Sequence, residues 1–216
     1  MKRILLAVAF LTFGTVLPSA ASTVDVQLTG VGGANQGGVY VAPYYLSIDK
    51  GAPIGVICDD FSHEVSIGEK WTATIHDFSD LSGTRFGVAD TQEYEEAAWL
   101  YTNYISDPSA AGDINFALWA LFTPSAKNSS GYTGGAATWY GDAITWYNDG
   151  HTGVNFNNFK IITPTDLDDK GSPQEYLYYC PPSSPTPEPS SLLLLGTGLL
   201  GLGRITRKRL GSTDAS

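Results

Sequence analysis

Two short apolar runs, each joined to basic residues, take both ends of this chain out of any globular core. At the N-terminus Lys2-Arg3 precede an apolar stretch from Ile4 to Val16, followed by Pro18-Ser19-Ala20-Ala21-Ser22. A positive start, a short apolar stretch and small residues before a cleavage point are the parts of a secretory signal peptide, so residues 1–21 read as one, with cleavage near Ala21. At the other end, residues 181–189 (PPSSPTPEP) form a Pro-rich, extended stem. Residues 190–203 (SSLLLLGTGLLGLG) are a Leu/Gly run, and a basic tail, residues 204–209, carries Arg204, Arg207, Lys208 and Arg209. The run is short for a transmembrane helix, but tilt or local thinning accommodates it, and the basic tail fixes its cytoplasmic side. Residues 22–180 remain to fold, enough for one domain.

Removing the ends changes the charge. The whole chain carries 12 Lys+Arg and 22 Asp+Glu, a net of −10. Residues 23–180 keep six Lys/Arg against twenty Asp/Glu, a net of −14. A surface of that sign repels phosphate backbones, which excludes nucleic acid as a partner.

Within the domain the hydrophobic period changes twice. Val24, Val26 and Leu28 alternate with polar residues, as do Trp71, Ala73 and Ile75, and residues 38–48 and 53–61 are rich in Val, Tyr and Ile. These predict strands, with Pro43 marking an edge or bulge. Tyr94, Ala97, Ala98, Tyr101 and Ile105 then fall on one helix face, behind a capping-box-like Asp90…Glu93. A second helix is predicted from about Asp113 to Pro124, and a third over 135–148. Residues 154–162 and 174–180 return to strand patterns. The expected class is therefore α+β: an antiparallel β-rich sandwich or barrel-like domain with an inserted helical segment.

The C-terminal order of Pro187-Glu188-Pro189, Ser190-Ser191, a short Leu/Gly helix and an Arg-rich end resembles the PEP-CTERM sorting signal of Gram-negative bacteria over residues 186–209. The resemblance implies export through the Sec translocon and signal peptidase. It implies a transient stay in the inner membrane on the C-terminal helix, then processing by exosortase, a membrane-embedded cysteine protease-transpeptidase acting near Pro-Glu-Pro. It also implies a destination at the cell surface or in the exopolysaccharide matrix. Leu210–Ser216 is a polar tail beyond the point where such a signal usually ends.

Cys58 lies in Val-Ile-Cys-Asp-Asp-Phe, and Asp113-Ile-Asn-Phe-Ala-Leu-Trp119 follows on a predicted helix. The pair resembles bacterial thioester domains of surface adhesins, in which a Cys thiol displaces ammonia from a Gln on a Gln-x-Ala-hydrophobic-Trp helix. Here Asn115 stands at the Gln position. Its carboxamide is one methylene shorter, about 1.5 Å short of the thiol on an unchanged backbone, whereas reacting atoms must approach within roughly 3–3.5 Å. The expectation is an inherited fold with its cross-link lost.

Cys58 and Cys180 are also a candidate disulfide in an oxidising compartment, closing a loop of about 120 residues worth roughly 5 kcal/mol. Two free thiols, one of them buried, are the alternative. Asp59-Asp60 and Asp166-x-Asp168-Asp169-x-Gly171 offer oxygens of the kind Ca²⁺ takes, but the second departs from a calcium loop at Lys170 and Leu177, and solvated acidic turns are the expectation. His63, His76 and His151 show no zinc spacing. Nucleophile-elbow and phosphate-loop motifs are missing from the sequence. No cofactor, metal site or enzymatic activity is expected. Trp139-Tyr140 and Trp146-Tyr147 share a helix face; buried they fill a core, exposed they stack on sugar rings, as in a carbohydrate-binding module of the matrix. Trp71, Trp99 and Trp119 read as core. The expected role is that of an exported, non-enzymatic structural or adhesive protein, with a covalent adhesin built on Cys58 and Asn115 as the rival.

Overall fold

The first strand, β1 (Thr23–Val31), exposes Thr23, Asp25 and Thr29 and buries Val26 and Leu28. In the computed structural model, which describes residues 23–167 and 171–181, that alternation faces a barrel interior. Five more strands complete it: β4 (Tyr44–Ile48), β5 (Ile54–Cys58), β6 (Lys70–Asp77), β7 (Phe159–Pro164) and β8 (Tyr176–Tyr179). They close in the order β1-β4-β5-β8-β7-β6, every pairing antiparallel. Closure leaves the sheet no open edge. Strands β2 (Asn35–Gln36) and β3 (Val39–Tyr40) form a separate small hairpin. The expected α+β class holds, and the barrel is the realised alternative.

The helical insertion lies between β6 and β7: α1 (Thr91–Ser106), α2 (Ala111–Phe122) and α3 (Gly134–Asn148). It creates two cores. One fills the barrel with Val26, Leu28, Leu46, Val56, Ala73 and Tyr176. The other joins the outer faces of Ile57, Ile161 and Leu177 to Tyr94, Leu100 and Leu118 of the helices. Strands β5, β7 and β8 are thus buried on both faces, which is why Val-Ile-Cys and Tyr-Leu-Tyr-Tyr run without polar alternation.

Helix α2 is buried from Ile114 to Ala120, the pattern of a helix apolar all round. It starts two residues before the expected Asp113 and gives way at Thr123 to a 3-10 turn that opens on Pro124. The capping box expected before α1 does not form. Asp90 closes a preceding 3-10 turn through its N–H to Gly87 O (3.3 Å), and its side chain makes no cap bond. Ile105, expected on the buried face, is 44% exposed. Gly131 is required by packing: a Cβ there would overlap the Phe116 ring.

Among the described residues no helix is long and apolar enough to cross a membrane. The expected signal peptide, the Pro-rich stem beyond Pro181, Pro187-Glu188-Pro189, the 190–203 run and the basic tail lie outside the described residues.

Candidate functional site

Cys58 ends β5, and the chain continues into Asp59 and Asp60; helix α2 places Asn115 beside them. Asn115 is fully buried. Its Oδ1 accepts from the Ala42 N–H at 2.9 Å, and its Nδ2 donates to the Cys58 carbonyl at 2.9 Å. The carboxamide therefore meets Cys58 through the backbone. The thiol points elsewhere and donates to Asp60 O at 3.3 Å. Burial, then the neighbouring Asp60 and Asp59 carboxyls, push the Cys58 thiol well above its ordinary pKa. A thiol held neutral is a poor nucleophile.

Behind Cys58 lies a buried polar network. Asp60 Oδ2 sits 2.9 Å from Arg85 Nε and 2.8 Å from His63 Nδ1, and Asp60 Oδ1 accepts from the Ser62 N–H at 3.0 Å. Arg85 also donates to Ser172 Oγ (2.7 Å) and to Pro173 O (2.6 Å). Glu175, fully buried, accepts from Tyr94 Oη at 2.5 Å, from the Arg85 N–H at 2.8 Å and from Thr163 Oγ1. Asp59 lies against Glu175, and its oxygens meet no N–H or hydroxyl donor among the described residues. Burial, then the charges of Glu175 and Asp60, push Asp59 well up; burial likewise raises Glu175. Raised in this way, Asp59 keeps a proton that it can share with Glu175, leaving its other oxygen without a partner among the described residues.

This network revises two sequence readings. Asp59-Asp60 is not a solvated turn: the two residues are 0% and 1% exposed. The Asp60 oxygens are engaged by Arg85, His63 and the Ser62 N–H, Asp59 lies against Glu175, and no group of three His, Cys, Asp or Glu side chains among the described residues is placed to hold a metal ion. The Asp166–Gly171 loop lies partly outside the described residues. The Cys58–Cys180 disulfide does not form; both thiols are free, Cys58 buried and Cys180 exposed. Cys58 pairs across the sheet with Tyr176. Cys180 lies four residues farther along, about 13 Å at roughly 3.3 Å per residue, beyond the roughly 7 Å Cα separation a disulfide spans.

Beside the network opens a cleft of ≈ 480 Å³ lined by Tyr40, Tyr44, Phe61, His63, Glu64 and Trp119 among others. Its β2–β3 wall is pinned by Gln36, whose Nε2 donates to Asp113 Oδ1 (2.9 Å) and Gly131 O (2.7 Å). Elsewhere Trp99 packs between Trp139 and Trp146, with ring centroids at 6.0 and 5.8 Å, and all three stay partly exposed. Trp119 is core at 3% exposure, while Trp71 is only partly buried. Sequence reading missed Glu175 and Arg85 as site residues, and placed Tyr94 on a helix face without its bond to Glu175. The available signal was one acid set in the apolar Glu-Tyr-Leu-Tyr-Tyr run.

Residues 185–208 match a family model described as the PEP-CTERM protein-sorting motif. The motif marks the chain as exported to the cell envelope or surface and targeted to exosortase. No curated protein and no solved structure matches the chain.

Proposed function

We propose that this chain is a non-enzymatic surface or matrix protein. In this reading the 22–180 domain is held transiently in the inner membrane by the 190–203 helix, and exosortase then releases or transfers it. The observation that carries the reading is the sorting motif at residues 185–208. A structural or adhesive role, rather than catalysis, is supported by the neutral, buried Cys58 thiol and by polar groups engaged with one another. The test is cell fractionation. Replacing Pro187, Glu188 and Pro189 by Ala, or removing exosortase, is expected to leave unprocessed chain in the inner membrane. Unchanged release to the surface would overturn the reading.

The resemblance to thioester domains enters here as ancestry. Its support is that Asn115 and Cys58 are neighbours in space although 57 residues apart in sequence. The second reading, a covalent adhesin, takes the same proximity as its argument. Intact-mass measurement separates them: the mature chain is expected at full mass, and a deficit of one ammonia would establish the covalent form.

A further inference from the structure

Of the large apolar side chains left exposed among the described residues, three converge on one place: Val39 (38%), Tyr40 (52%) and Ile67 (58%) all line the ≈ 480 Å³ cleft beside the buried network. That volume lies in the range of small-molecule sites, and its composition, apolar with a few polar groups, has the same character. The polar groups tell what kind of ligand fits, because most are already engaged. Gln174 donates to Asp60 O (3.1 Å) and accepts from Tyr176 Oη (3.1 Å). His63 uses Nδ1 on Asp60 and lies with Nε2 at 3.4 Å from Arg85. The Tyr44 hydroxyl donates to Tyr40 O (2.6 Å). A neutral sugar, which needs several free donors and acceptors, finds few here.

What remains is the Ser66 hydroxyl, the Trp119 Nε1–H, aromatic surface and one carboxylate. Tyr40 stands exposed at the rim, and Phe61, partly buried, packs on Trp119 at 5.3 Å between ring centroids. Glu64 is exposed, and no described residue pairs with its carboxylate. No Lys or Arg is among the lining residues, and residues 23–180 carry a net charge of −14. Anionic ligands are repelled and cationic ones drawn in. Aromatic faces beside a carboxylate are the surroundings an organic ammonium ion prefers, since the ring quadrupole attracts the cation and the carboxylate balances it.

We propose that this cleft binds an ammonium-bearing ligand, seated against Tyr40 and Phe61 with Glu64 as its counter-charge. The ammonium belongs either to a quaternary ammonium headgroup or to the protonated amine of an amino sugar. The site stands apart from the sorting reading, because binding by purified chain is measured without reference to its route through the envelope.

The experiment titrates choline, glucosamine and glucose into the full chain, purified in a neutral detergent, and follows heat or tryptophan fluorescence. Saturable binding of choline or glucosamine is expected, weaker at high salt, with glucose silent; the tighter of the two identifies the source of the ammonium. Glu64→Gln and Tyr40→Ala are surface changes that leave the core intact. Each is expected to weaken binding roughly two- to fivefold, the scale of one exposed charge or cation–π contact. The proposal fails if no probe saturates. It also fails if glucose binds as well as glucosamine, if Glu64→Gln leaves ammonium binding unchanged, or if Trp139→Ala abolishes binding while Tyr40→Ala does not.

Discussion

Strands β5, β7 and β8 are packed on both faces, whereas β1 and β6 bury one face in the barrel and turn the other largely to solvent. The two halves of one closed sheet therefore do different work. The bare half contributes the interior alone. The covered half carries a second core, and with it the buried polar groups: Asp59 and Asp60 follow β5, Thr163 lies in β7, Glu175 precedes β8, and Asn115 reaches in from α2. Burial on both sides is what lets a carboxyl or a carboxamide act as a fixed structural part, because water no longer competes for its hydrogen bonds.

The sharpest way to break this contrast is a matched pair of truncations. Ile161→Ala in the covered half is expected to cost about 2–5 kcal/mol, and Thr72→Ala on the bare face no more than about 0.5 kcal/mol. Denaturant melts at one pH measure both, and equal costs would erase the distinction. Comparable in size is Asn115→Ala. It strands the Ala42 N–H and the Cys58 carbonyl, at roughly 1–3 kcal/mol for each group left unpaired. Asn115→Gln restores the amide but must fit an extra methylene into a closed site, at about 1–3 kcal/mol. A neutral Asn115→Ala would show that α2 is held to β5 by apolar packing alone.

The third prediction concerns pH. Asp59 and Glu175 are raised from ordinary values of 3.8 and 4.5. Below those values folded and unfolded chains are both protonated, and the pair's contribution is fully present. As pH rises the unfolded chain releases its protons first, so stability falls until pH passes the raised folded values. Asp59→Asn keeps a donor toward Glu175 without a titrating proton. Melting curves are expected to show the variant gaining on the parent as pH rises above the ordinary values of 3.8 and 4.5; a parent whose stability rises there would refute the shared proton. The smallest effect belongs to Lys160→Ala. Its pair with Asp77 is 30% and 58% exposed, and its loss is expected to cost under about 1 kcal/mol.

Much of this architecture is legible in the chain. Period-2 runs place β1 and β6, and Tyr94, Ala97, Ala98 and Tyr101 place the buried face of α1. What escapes the sequence is whatever depends on register or on distant partners. The disulfide reading failed because Cys58 aligns with Tyr176, a fact of strand pairing and not of composition. The Glu175 network escaped because its bonds to Tyr94 and Arg85 span 81 and 90 residues. An isolated acid reads as surface until the fold closes over it. Asp90 had the composition of a cap, but the turn before it fixed a backbone that a cap cannot use. Cys58 and Asn115 were paired in sequence by resemblance, and the structure brings them together backbone to side chain.

Strand β8 is the last of the described strands yet lies between β5 and β7 in the barrel. Until Tyr176–Tyr179 has been delivered, the wall stands open between two strands already made, and the second core lacks Leu177. The barrel closes only with this strand in place. The sorting motif begins at residue 185, after that strand. A cut anywhere within the motif removes no stave from the barrel.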